Sequence, residues 1–131
     1  MKTILIHRAF ETIPKPICEI DFEDTMVDID CLNQTYKVTQ NVEDSWTNNT
    51  QENHITMIGK DKNYRSTSIG DLAVINDESG AKFFQCCSTN WDRLNVSEFF
   101  RIMAIDDKKD LKDYIHDLYM EEEEGITLKG R

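Results

Sequence analysis

At 131 residues the chain has the length of one domain, enough to bury a core without staples. Its composition, 39% hydrophobic and 31% charged with five Gly and two Pro, excludes fibrous and low-complexity chains. Twenty-five acids against fifteen bases give a net charge of −10, which disfavours direct contact with nucleic acid, because phosphate binding relies on clustered Lys and Arg.

The N-terminal apolar run, Ile4-Leu5-Ile6, stops at His7 and Arg8. That is too short for a secretory signal or a membrane span, so a cytoplasmic protein without a membrane partner is expected. Cys18, Cys31, Cys86 and Cys87 include no C-x-x-C pair, and reduced, buried thiols fit such a compartment.

Lys2–Phe10 reads as a first strand, and Ile13-Pro14-Lys15-Pro16 as an extended connector. Ile17–Phe22 alternates in part, as a short strand would. Asp24 or Thr25 is placed to cap a helix running to Thr39, with Met26, Ile29, Leu32 and Tyr36 on its inner face. Asn41–Asn53 is a polar loop in which Trp46 is the plug onto the core. His54–Ile58 is a strand signal. Asp71–Asn76 and Ala81–Cys87 flank Asp77-Glu78-Ser79-Gly80, a hairpin turn ending in Gly. Asn95 or Ser97 caps a short helix through Phe99, Phe100 and Met103. A last helix, Asp107–Glu122, carries the stripe Leu111, Tyr114, Ile115, Leu118 and Tyr119, with Gly125 beyond it.

These elements predict a single α+β domain over 1–131. A mostly antiparallel sheet of about four strands (Lys2–Phe10, His54–Ile58, Asp71–Asn76, Ala81–Cys87) carries the two amphipathic helices, Asp24–Thr39 and Asp107–Glu122, on one face. The expected core is Leu5, Leu32, Tyr36, Trp46, Val74, Phe83, Leu111, Ile115 and Leu118.

No catalytic constellation stands out. His7, His54 and His116 are the candidate bases, and none sits in a nucleophile motif. Neither the calcium-loop pattern nor a nucleotide fingerprint occurs. A non-enzymatic protein without metal or cofactor is expected. In Arg65-Ser66-Thr67-Ser68 the hydroxyls are suited to backbone bonds, Asp71 to accepting backbone N–H groups, and Arg65 to pairing with Asp71.

The acids are unevenly placed. Glu19, Asp21, Glu23, Asp24, Asp28 and Asp30 lie between Pro16 and Tyr36 without a base. Asp106, Asp110, Asp113 and Asp117 recur at helical spacing, and Glu121, Glu122, Glu123 and Glu124 follow where they oppose the helix dipole.

The segment Tyr64-Arg65-Ser66-Thr67-Ser68-Ile69-Gly70-Asp71-Leu72-Ala73-Val74-Ile75, followed by a turn and Lys82-Phe83-Phe84, resembles the core of the YodL-like proteins. Those are small proteins of phages, plasmids and integrative elements. Leu32–Trp46, with Tyr36 and Asp44-Ser45-Trp46, is similar to their leader segments, so the resemblance covers Leu32 to Leu94. It implies a mobile-element origin and carries over no catalytic residue.

Charge placement and resemblance together lead to the expectation of a phage or mobile-element inhibitor of a host defence enzyme, of anti-CRISPR or antirestriction type. Its acids would stand in for nucleic acid in the basic channel of a host protein. The partner-binding candidates are Asp106, Asp110, Asp113, Asp117 and Glu121–Glu124, then Glu23, Asp24, Asp28 and Asp30. The alternative is an accessory interaction module without inhibitory role, binding through the hairpin edge or the loop Asn41–Asn53.

Overall fold

The structure, a computed structural model, describes residues 1–104. The predicted helix 107–122, the stripe Leu111, Tyr114, Ile115, Leu118 and Tyr119, and the acids from Asp106 to Glu124 lie outside the described residues. In chain order the elements are β1 (Lys2–His7), β2 (Lys15–Asp21), α1 (Asp28–Val38), a 3-10 turn (Trp46–Asn49), β3 (Ile55–Met57), β4 (Leu72–Asp77), β5 (Gly80–Cys86), β6 (Trp91–Leu94) and α2 (Val96–Met103).

The α+β class holds, but among the described residues the sheet has six strands against the about four expected, in the order β3-β2-β1-β4-β5-β6, with every pairing antiparallel. β2 inserts between β1 and β3, and β6 extends the far side. The hairpin β4–β5 is therefore interior, since β4 also pairs with β1 and β5 with β6. Its strands offer no free edge to a partner, and only the turn Asp77–Gly80 is open. Gly80, at φ +117, supplies the backbone conformation that this turn demands.

β4 explains the architecture. Leu72, Ala73, Val74 and Ile75 form an unbroken apolar run, and all four are buried. A strand apolar on both faces belongs in the middle of a sheet covered on both sides. Leu5, Ala73 and Phe84 are paired across three strands on one face, and Ile4, Val74, Phe83 and Leu94 across four on the other. Cys31 and Leu32 of α1 join Ala73, Ile75 and Phe84, while Phe99 and Ile102 of α2 join Leu72, Val74 and Leu94. The two described helices, α1 and α2, thus lie on opposite faces, and the expected sharing of one face by helices 24–39 and 107–122 concerns a helix outside the described residues. α2 begins with a reciprocal cap: Asn95 Oδ1 accepts from Glu98 N, and Glu98 Oε1 accepts from Asn95 N.

The phase of α1 corrects the expectation drawn from Ile29 and Tyr36. Ile29 is 47% and Tyr36 41% exposed, whereas Cys31, Leu32 and Thr35 face inward. Thr35 is tolerated there because its hydroxyl donates to Cys31 O (2.8 Å) within its own helix. Neither Asp24 nor Thr25 caps α1, which starts at Asp28 after Val27. Phe83, expected in the core, is half-buried. Leu5, Leu32, Trp46 and Val74 are buried as expected.

Candidate functional site

One end of the sheet gathers acids from three stretches of chain. Lys2 pairs with Asp21 of β2 and with Asn76 of β4. The exit from β2 therefore runs beside the β4–β5 turn, fixed by Phe22 N donating to Met1 O at 2.9 Å. Asp24, Asp77, Glu78 and Ser79 line one shallow depression of about 290 Å³. Glu23, Asp24 and Asp30 are exposed and Asp28 is half-buried. The structure so brings Asp24 and Asp28 together with Asp77 and Glu78, two residues whose sequence signal was only a turn, while Glu23 is exposed next to Asp24 in the chain.

Counter-charges that no local reading supplies also arrive here. Lys82 Nζ lies 3.1 Å from Asp28 Oδ2 and 3.0 Å from Asp77 Oδ2, and the Met1 ammonium bonds to Asp24 at 2.5 Å. The first helix is thus not without bases, which corrects the expectation. The Ser79 hydroxyl and then Lys82 hold the Asp77 carboxyl down to about 2, and the bonds to Asp77 and then to Asp28 raise Lys82. Lys82 sits on the α1 face of β5, 54 residues from Asp28, so only the register reveals the pair.

At the opposite end, the segment Arg65–Asp71 forms a hub. Asp71 is fully buried, and both its oxygens are engaged. Oδ1 accepts from Arg8 N (2.8 Å), Ala9 N (3.0 Å) and the Arg65 guanidinium (2.8 Å). Oδ2 accepts from Arg65 (2.7 Å) and Ser68 N (2.8 Å). Arg65 also donates to Ala9 O and Ser66 O. Thr67 is buried against Thr39 at the end of α1, hydroxyl to hydroxyl at 2.6 Å. Buried Arg8 donates to Ile102 O and Glu11 O, tying α2 and the β1–β2 loop to the same point. The pairing of Arg65 with Asp71, legible in the sequence, is present, and the segment's polar groups are spent on joining β1, β4, α1 and α2.

His7 ends β1 beside this hub, 1% exposed, with Nε2 buried and without a hydrogen-bond partner and its ring edge-on to Tyr64. Burial lowers its pKa from 6.5 to about 4, outweighing the opposite pull of Asp71; Arg65 and Lys15 lower it further and Glu11 raises it. The unfolded chain therefore takes up a proton below about pH 6.5 that the folded chain refuses until about pH 4. Stability should be undiminished above pH 6.5 and fall by about 3 kcal/mol across that window. Urea melts of the native protein and of His7→Leu at pH 4.5 and 7 check this. The drop between the two pH values should be smaller by roughly that amount in the variant.

All four cysteines are free and buried. Burial pushes Cys18 and Cys86 up to about 12, so these thiols are held protonated at neutral pH. Among the described residues no helix is long and apolar enough to cross a membrane, and no group of three or more His, Cys, Asp or Glu is placed to hold a metal ion. Comparison with family models, with curated proteins and with solved structures finds no match.

Proposed function

We propose that the protein is a non-enzymatic inhibitor from a phage or other mobile element. In this reading it occupies the basic nucleic-acid channel of a host defence enzyme in place of nucleic acid. The observation that carries the reading is the convergence of Asp24 and Asp28 with Asp77 and Glu78 at one end of the sheet, with Glu23 exposed next to Asp24, in a chain of net charge −10. Carboxylates so gathered can take phosphate subsites and steer the encounter with a basic channel. Asp30, exposed on the first turn of α1, extends the same stretch. The acids Asp106, Asp110, Asp113, Asp117 and Glu121–Glu124 belong to the proposal by sequence alone. The resemblance of Leu32–Leu94 to YodL-like proteins supports the mobile-element origin. The test is binding to a partner captured from host lysate. Affinity should fall steeply between 50 and 200 mM salt, by about tenfold or more, and duplex DNA or structured RNA should compete. Binding that ignores both salt and nucleic acid would overturn the reading.

A further inference from the structure

A cavity of about 310 Å³ opens between the exposed side of α1 and the turn that joins β5 to β6. That volume is at the small end of the range of ligand sites. Buried Cys86 and Trp91 and half-buried Ile69 form its floor, and exposed Asn33, Tyr36 and Asn90 stand at its rim. None of its nine lining residues carries a charge, in a chain that is 31% charged. A ligand that fits it is therefore neutral, since an ionised group would enter without a counter-charge.

Backbone bonds fix the cavity before any ligand arrives. Gly70 N donates to Cys86 O (2.8 Å), Cys86 N to Asp71 O (2.9 Å) and Cys87 N to Asn90 O (2.8 Å). The floor is thereby tied to the buried Asp71 node, and Asn90 to the end of β5, so little further ordering opposes binding. Asn33 and Tyr36 lie three apart on α1 and so share one side of the helix. Tyr36 is left 41% exposed there. Two aromatic side chains, Tyr36 from the helix and Trp91 from β6, suit a flat heterocycle, which stacks on such rings. The two amides, Asn33 and Asn90, each set a donor beside an acceptor, the complement of an adenine edge. We propose that this cavity binds a neutral nucleoside, its base of adenine type stacked on Tyr36 and read at its edge by Asn33 or Asn90. A nucleotide is the poorer fit, because among the described residues no Lys or Arg lines the cavity to meet a phosphate. Cys86 pairs with Trp91 and adjoins Asp71, at the opposite end of β4 from Asp77. The site is thus separate from the acidic end and does not depend on the inhibitory reading.

Nuclear magnetic resonance titrations of the full chain test it. Adenosine should shift the side-chain amide signals of Asn33 and Asn90 and the indole signal of Trp91 saturably, with a Kd of about 0.1 mM. Tyr36→Ala and Asn33→Ala alter exposed residues, so both should fold. Each should weaken binding by about tenfold, whereas Asn48→Ala, exposed and outside the cavity, should bind as the native protein does. On the native protein AMP should bind at least about fivefold more weakly than adenosine, and glucose should not bind. No saturation by about 5 mM adenosine, shifts confined to other residues, affinity for AMP or glucose equal to that for adenosine, or undiminished affinity in folded Tyr36→Ala would each overturn the proposal.

Discussion

Asp71→Ala should cost about 3–5 kcal/mol, a large share of the stability of a domain this size. The expectation follows from what the carboxylate serves. Removing it strands two buried backbone N–H groups, of Arg8 and Ala9, and the part-buried one of Ser68, and leaves the Arg65 guanidinium with only the more distant carboxylate of Glu11, at 3.8 Å. A buried donor left without an acceptor costs more than a missing contact, and a partly buried charge stripped of its nearest partner adds to it. The loss would be spread across the fold, because the same node joins β1 to β4 and, through the segment that begins at Arg65, to the end of α1. Asp71→Asn should recover little of it, since its amide group turns donors toward donors. Urea denaturation of both variants checks the prediction; a cost below about 1 kcal/mol for Asp71→Ala would show that the node is not what holds these elements.

Trp46→Ala is the second large effect, again about 3–5 kcal/mol. Trp46 is 1% exposed and packs with Leu5, Ile17, Cys18, Ile20 and Ile55, closing the β2–β3 side of the α1 face. Its indole N–H donates to Arg65 O at 3.1 Å, and its backbone N–H to Asn41 Oδ1 at 2.8 Å. Truncation opens a cavity and orphans the Arg65 carbonyl at once. Trp46→Phe fills much of the space but lacks the donor, so it should lose about 1–2 kcal/mol. Thermal or urea melts of the pair separate packing from hydrogen bonding. If the two variants were equally destabilised, the indole bond rather than the packed volume would dominate.

Features that rest on local chemistry were legible in the sequence. Gly80 marked the hairpin turn, Asn95 and Ser97 were the two candidate starts of α2, of which Asn95 is the cap, Trp46 stood out as the one large apolar residue of a polar loop, and Arg65 and Asp71 were readable as a pair. Features that depend on register were not. Lys82 meets Asp28 only because β5 pairs with β4 and α1 lies over that face. The placement of Asp77 and Glu78 beside Asp24 needs β1 between β2 and β4. β6 escaped because Trp91-Asp92-Arg93-Leu94 puts two charges in the middle of a four-residue strand, and Arg93 lies over the Phe84 ring rather than in the core. The inner face of α1 was misassigned because hydropathy counts Thr35 as polar and Tyr36 as apolar. A threonine that bonds its own helix is cheap to bury, and a tyrosine can keep its hydroxyl end wet. The candidate site was thus half visible: Glu23, Asp24, Asp28 and Asp30 as a run, without their neighbours or counter-charges.

The most direct test of the acidic end as the working surface is a charge-reversal variant. Glu23→Lys, Asp24→Lys, Asp30→Lys and Glu78→Lys are combined, leaving the Asp28–Lys82–Asp77 bridge intact. All four residues are exposed, so the fold should survive, because exposed substitutions usually change stability by less than about half a kcal/mol each. Binding to the captured host partner, measured by calorimetry at 50 mM salt, should weaken by about a hundredfold or more while the melting temperature stays close to native. Undiminished affinity in a folded variant would contradict the account.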